Sequence, residues 1–181
     1  MNDIDAMAGR AGPPGSPVGV AAGLPPEQRE AMIRRWLDLT LRAYPDQTAR
    51  FLRNTADPFQ NPVGAALRNG IPILLDYLSG VGEQRAALAA LDEIVHIRAV
   101  QDFTPGEAVG FVFLAREAVG EAPLPAAGPD DFGRRVDELA MLAFDLYMRC
   151  REKLWEIRAG AARRQMYVAE RMAAGSLVPR R

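Results

Sequence analysis

Between residues 25 and 174 every strong periodic signal in the sequence is helical, and no alternating apolar–polar run interrupts it. Such a chain can fold only as packed helices. Pro25-Pro26 opens the first helix, at a position where the missing N–H is no loss. Met32, Ile33, Trp36, Leu37 and Thr40 follow at helical spacing until Tyr44-Pro45 stops it. A short helix over Asp46 to about Arg53 precedes the loop from Asp57 to Pro62. Asn61 and Pro62 form an N-cap and N1 pair for a third helix to Leu78, which Pro72 should kink or break. A fourth helix spans about Glu83 to Gln101.

Thr104-Pro105-Gly106-Glu107 is the sharpest start signal, a capping box with proline at N1. The run from Ala108 to Ala115 is apolar all the way round and predicts a helix buried in the middle of a bundle. After a Pro/Gly-rich loop, Asp130 caps a last helix that can run to about Ala174, roughly 65 Å at ~1.5 Å per residue. That exceeds the body of a domain of this size, so its end should project or break near Gly160. The fold expected is an all-α, single-domain bundle of five to six helices with a long C-terminal helix. Residues 1–24, rich in Gly and Pro, are read as a flexible tail, residues 25–174 as the domain and 175–181 as a frayed end.

Composition narrows the function. A net charge of −1 removes the electrostatic case for nucleic-acid binding. No apolar run reaches the ~18 residues of a membrane span, and no secretory signal opens the chain, so a cytoplasmic location is expected. Cys150 and His96 are the only residues of their kinds, which excludes an intramolecular disulfide, a cysteine-based zinc site and a His-rich metal centre. Lys153 is the only lysine among 22 basic residues, and no Gly-rich phosphate loop precedes it. No cofactor, metal or catalytic set is expected.

On the fourth helix Leu88, Leu91, Ile94, Val95 and Ala99 form an apolar stripe, and His96 falls off it beside Asp92 and Glu93, as a solvated residue would. Arg98 and Asp102 lie on the stripe one turn apart, where charge needs a partner. They form either a buried ion pair holding the helix end against the Asp57–Pro62 loop, or, with Gln101, Asp57 and Asn61, a polar pocket or partner surface. Cys150 shares a seam with Ala143, Tyr147, Leu154, Ile157 and Ala161, as a small buried hydrophobe would. Arg149, Arg151 and Lys153 flank it and would lower the pKa of an exposed thiol, which keeps a sulfur or redox role as an alternative. Beyond Arg158 the last helix turns basic. It is either a solvated end or an arm that docks an acidic partner or pairs with itself.

Three stretches carry a resemblance. They are Asp57-Pro-Phe-Gln-Asn-Pro-Val-Gly64, Ile97-Arg-Ala-Val-Gln-Asp-Phe-Thr-Pro105 running on through Ala108-Val-Gly-Phe-Val-Phe113, and Cys150-Arg-Glu-Lys-Leu-Trp-Glu-Ile-Arg158. With the Trp36-Leu37 helix they resemble the N-terminal domain family of RsbRD-type RsbT co-antagonists, proteins of bacterial stressosomes, over about residues 27–170. The resemblance implies a regulatory, sensory module that elsewhere precedes a kinase-binding STAS domain. It brings a globin-like arrangement as one candidate topology, not carried over residue by residue. This chain ends about where a STAS domain would begin. In that respect it is similar to stand-alone relatives encoded with the dissimilatory sulfite reductase system. His96 departs from the family pattern, which argues against it as a site.

The reading is therefore a non-catalytic regulatory or accessory module acting by protein–protein contact. Its partner is a sulfite reductase system component or a stressosome-type STAS or kinase protein, and a homodimer forms through the last helix. Deleting residues 159–181 should leave the fold intact and weaken association. The alternatives are a thiol-dependent accessory protein using Cys150, and a small-molecule sensor with an apolar pocket around Trp36, Phe111 and Phe113.

Overall fold

The structure, a computed structural model, describes residues 24–101, 103–122, 124 and 128–175. The tail expected at residues 1–24 and the frayed end at 175–181 lie outside the described residues, apart from Leu24 and the backbone of Gly175. The described chain is a single all-α domain without strands. Its helices are α1 (Pro26–Leu41), α2 (Asp46–Asn54), α3 (Pro62–Leu78), α4 (Gln84–Val100), α5 (Pro105–Gly110), α6 (Leu114–Val119) and α7 (Pro129–Gly175).

The start signals act as their chemistry dictates. Asn61 caps α3 by accepting from Gly64 N at 2.8 Å. Thr104 and Glu107 close a capping box on α5, the hydroxyl accepting from Glu107 N and the carboxylate from Thr104 N. Pro72 sits inside α3 without ending it. Gly80, at φ 88°, takes the left-handed turn that closes α3, and the N–H groups of Val81 and Gly82 both reach back to Asp76 O.

One expectation is corrected and one open alternative is decided. The apolar run from Ala108 to Ala115 is not one buried helix: it breaks at Phe111–Phe113 into α5 and α6, and Phe113 is exposed. The cause is tertiary. Trp36, fully buried on α1, donates its indole N–H to Phe111 O at 2.7 Å, and i→i−3 bonds carry the chain through the turn. Of the two outcomes expected for the last helix, the end projects: Gly160 does not break α7, which runs 47 residues without interruption, about 70 Å at ~1.5 Å per residue.

The core lies where α3 packs on α4, α4 and α5 on α7, and α1 on α6. Ile71, Leu74, Leu75, Leu91, Val95 and Val136 are fully enclosed in it. Arg29 and Asp76 form a bidentate pair between α1 and α3 at 2.7 and 2.8 Å. Arg135 ties α7 to the end of α3 through Tyr77 O at 2.7 Å, its guanidinium over the Tyr77 ring. The core residues of α7 end at Tyr147; from Trp155 to Met172 its large side chains are exposed.

A methyl group at Gly64 would collide with the Asn61 amide and lie 2.5 Å from Leu52 O, neither of which can give way. At Gly70 it would meet only the flexible end of Ile94, at 2.7 Å. Gly64→Ala should therefore lower unfolding stability by about 2 kcal/mol. Gly70→Ala should cost less, because alanine also favours the helix. Denaturant melts of the two variants check the order.

Candidate functional site

Of the five residues read from the sequence as one polar site, the four described ones occupy two places. Asn61 is buried at the head of α3, and its amide donates to Leu52 O at 2.9 Å and Thr55 O at 2.8 Å while its Oδ1 caps the helix. Arg68, about two turns further on, donates to the same two carbonyls at 2.7 and 3.0 Å. Asp57 is exposed and accepts from Phe59 N at 2.9 Å. This cluster satisfies the end of α2 and holds the α2–α3 loop in place, with Phe59 held out at 95% exposure.

Arg98 sits elsewhere, on the buried face of α4, 1% exposed. Its guanidinium carbon lies 4.9 Å from the Phe111 ring centre, 5.1 Å from Phe103 and 5.7 Å from Tyr44. Nη1 donates to Glu107 O at 2.9 Å, whereas Nε and Nη2 find no hydrogen-bond partner among the described residues. Burial pushes the Arg98 pKa down from its ordinary value, opposed by the nearby Tyr44. Burial likewise raises the Tyr44 hydroxyl, opposed by the Arg98 charge. Arginine nonetheless keeps its proton. Gln101 is exposed and accepts from the Tyr44 hydroxyl at 3.3 Å. Asp102 lies outside the described residues, and with it the ion pair expected with Arg98.

What the residues build around Arg98 is an aromatic cage, filled by its own guanidinium. Cation–π contact with three rings replaces part of the lost hydration. The space beside it, bounded by Tyr44, Val63, Leu67 and Ile94, leaves no room for a water molecule. Trp36 and Phe111 are packed solid rather than arranged around a pocket. A surface cavity of about 500 Å³ lies between α6 and the start of α7, against Arg116, Val119, Gly120 and Phe132.

The pairing of Cys150 with His96 escaped the sequence reading. Sγ is 3.4 Å from His96 Nδ1, across 54 residues of chain. His96 is exposed, as expected, and Cys150 is half-buried against the core. Burial raises the Cys150 pKa first and Asp92 second, and these outweigh Arg151 and Lys153, which pull it down. The basic neighbours thus do not make a low-pKa thiol here. The signal available in the sequence was position: His96 sits on α4 one turn from Asp92, on the side that α7 meets.

Two outcomes follow from this geometry. Arg98→Ala should destabilise the fold by about 3 kcal/mol through the emptied cage, whereas Arg98→Met, apolar and of similar length, should stay within about 1 kcal/mol of the parent. Denaturant melts decide it. Because Asp92 raises the Cys150 pKa, Asp92→Asn should lower it and increase the thiolate fraction at any pH below it. Alkylation of native protein, followed by mass spectrometry at pH 8, should then be faster in Asp92→Asn than in the parent.

The family profile described as the RsbT co-antagonist protein rsbRD N-terminal domain matches residues 30–162. An uncharacterized protein of Archaeoglobus fulgidus is 37% identical over 71 residues, which is 38% of this chain and 47% of that one. The matched segment therefore spans about half the length of that relative. No solved structure matches the chain.

Proposed function

The chain belongs to the RsbRD N-terminal domain family of RsbT co-antagonist proteins, and from that premise we propose that it is a non-catalytic regulatory module acting through contact with another protein. The family domain is a regulatory one. The observation that carries the proposal is the exposed length of α7. Beyond the core it presents Ile157 at 58%, Val168 at 53% and Met172 at 72% exposure, on the continuation of the face that packs against α4 and α5. Apolar side chains repeated along a projecting helix favour a groove or helix of another protein.

The partner best suited to the family is a stressosome-type STAS or switch-kinase protein. The accessory role beside sulfite reductase rests only on resemblance to stand-alone relatives. The thiol-dependent alternative has less support, since the Cys150 pKa is raised rather than lowered. The sensor alternative has the cavity beside Arg116 and Phe132 as its candidate pocket, in place of the filled space around Trp36. No helix among the described residues is long and apolar enough to cross a membrane.

The test is capture from lysate of the protein's own organism, with the parent chain and an Ile157→Glu/Val168→Glu variant side by side. STAS or switch-kinase proteins should come with the parent and be lost with the variant. Sulfite reductase components in their place would establish the accessory role. An identical set with both chains would overturn α7 as the contact, and no partner with either would overturn the proposal.

A further inference from the structure

Cys150 and His96 form a pair that contact through the projecting arm does not use. Cys150 Sγ lies 3.4 Å from His96 Nδ1, the thiol on α7 and the imidazole on α4. His96 is exposed and Cys150 half-buried, so a small solute reaches the pair from water. The charges around the sulfur are Asp92 on α4 and Arg151 and Lys153 on α7. The two helices are locked together on either side of it. Tyr147, three residues before the thiol, donates its hydroxyl to Phe103 O, and Arg151, the next residue after it, donates to Ala99 O at 3.2 Å. The meeting of sulfur and imidazole is therefore set by the crossing of α7 on α4 rather than by a loop.

We propose that Cys150 is a modification site with His96 as its base, and that it takes up a low-molecular-weight disulfide as a mixed disulfide. His96 Nδ1 accepts the thiol proton, and Cys150 Sγ attacks one sulfur of the disulfide. A new S–S bond forms to Cys150 as the old one breaks. The departing sulfur keeps the bonding electron pair and receives the proton back from His96 Nδ1. Cys150 is oxidised, the departing half is reduced to a thiol, and no further reactant enters.

The surroundings favour this chemistry over that of a free thiolate. Burial and Asp92 outweigh the two cations, so the sulfur rests as a thiol. A resting thiolate would need no help, whereas a thiol reacts only as fast as its proton is taken, and a base stands within hydrogen-bond reach. Once deprotonated, a sulfur of high pKa is the stronger nucleophile. Exchange with a disulfide also needs a proton at its end, which a base that has just accepted one can return. Cys150 is moreover the only cysteine of the chain. No second thiol of the same chain attacks the mixed disulfide, so the added group stays until an external thiol removes it. This is a reversible mark rather than a turnover cycle, and it stands just past Tyr147, the last core residue of α7, at the root of the arm.

The test uses the full chain, folded and reduced, with oxidised glutathione at pH 7 as the probe and intact mass as the readout. One glutathionyl group should add to the chain, on Cys150, and dithiothreitol should remove it. His96→Gln keeps a hydrogen-bonding amide but takes no proton. It should slow the addition roughly 10-fold or more, less than a fully enclosed base contributes because water reaches the site. Helical circular dichroism should not change, since His96 is exposed. Imidazole in the buffer should restore part of the rate to His96→Ala and leave the parent's rate nearly unchanged, which a histidine with a purely structural role would not produce. No adduct on the folded parent overturns the proposal. So does an adduct that forms equally fast in His96→Gln. A slow His96→Ala that imidazole does not rescue overturns the role of base and leaves His96 a packing residue. Ile157→Glu/Val168→Glu should be modified at the parent's rate, so failure of the arm as a contact leaves this test intact.

Discussion

A guanidinium buried to 1% exposure has to find inside the protein what water would have supplied, and around Arg98 the chain is arranged to do so. The ring of Tyr44 comes from the turn after α1, Phe103 from the link between α4 and α5, and Phe111 from the break between α5 and α6. Glu107 supplies a backbone carbonyl from α5. One side chain thus fixes the relative placement of four segments that have little regular structure between them. The break at Phe111 follows from the same junction, because its carbonyl is turned to the Trp36 indole and its ring to Arg98. Residues with two such obligations leave a helix no freedom to continue through them.

The second organising constraint is the attachment of α7. Three side chains set its position at different heights: Arg135 to Tyr77 O, Tyr147 to Phe103 O and Arg151 to Ala99 O. Two of these reach the region next to the Arg98 cage, and Phe103 belongs to both, its ring against the guanidinium and its carbonyl on the Tyr147 hydroxyl. Past Arg151 the helix has no further core to hold it, and continues on its own backbone hydrogen bonds and on good helix formers such as Ala, Arg, Glu, Gln and Met.

Local chemistry was legible in the sequence wherever it was complete within a few residues. Asn61 before Pro62, and Thr104 with Glu107, specify their own helix starts, because the cap donors and acceptors are three residues apart. The burial of Arg98 was legible from its place on the α4 stripe, but not the three rings that receive it, since Tyr44 lies 54 residues away in sequence. The grouping of Asp57 and Asn61 with Arg98 was not borne by periodicity, which says which face a residue occupies and nothing about which loop meets that face. Cys150 and His96 show the same limit: each side chain was placed on its own helix, while their 3.4 Å approach depends on how α7 crosses α4. Gly160 marks a different limit, where a helix-weakening residue costs about 1 kcal/mol against many residues that favour continuation.

A helix this long divides its residues by where the body ends. Up to Tyr147 the inner face is consumed by packing, and only the outer face meets water. Beyond Trp155 both faces meet water, and both keep large apolar side chains: Trp155 and Met166 outside, Ile157, Val168 and Met172 inside. A helix end kept only for solubility would place polar residues at these positions, since α7 has charged residues in number along its other faces. The outer line continues along the body as far as Met141. The inner line begins only where the core stops, so its cover has to meet the free arm alone.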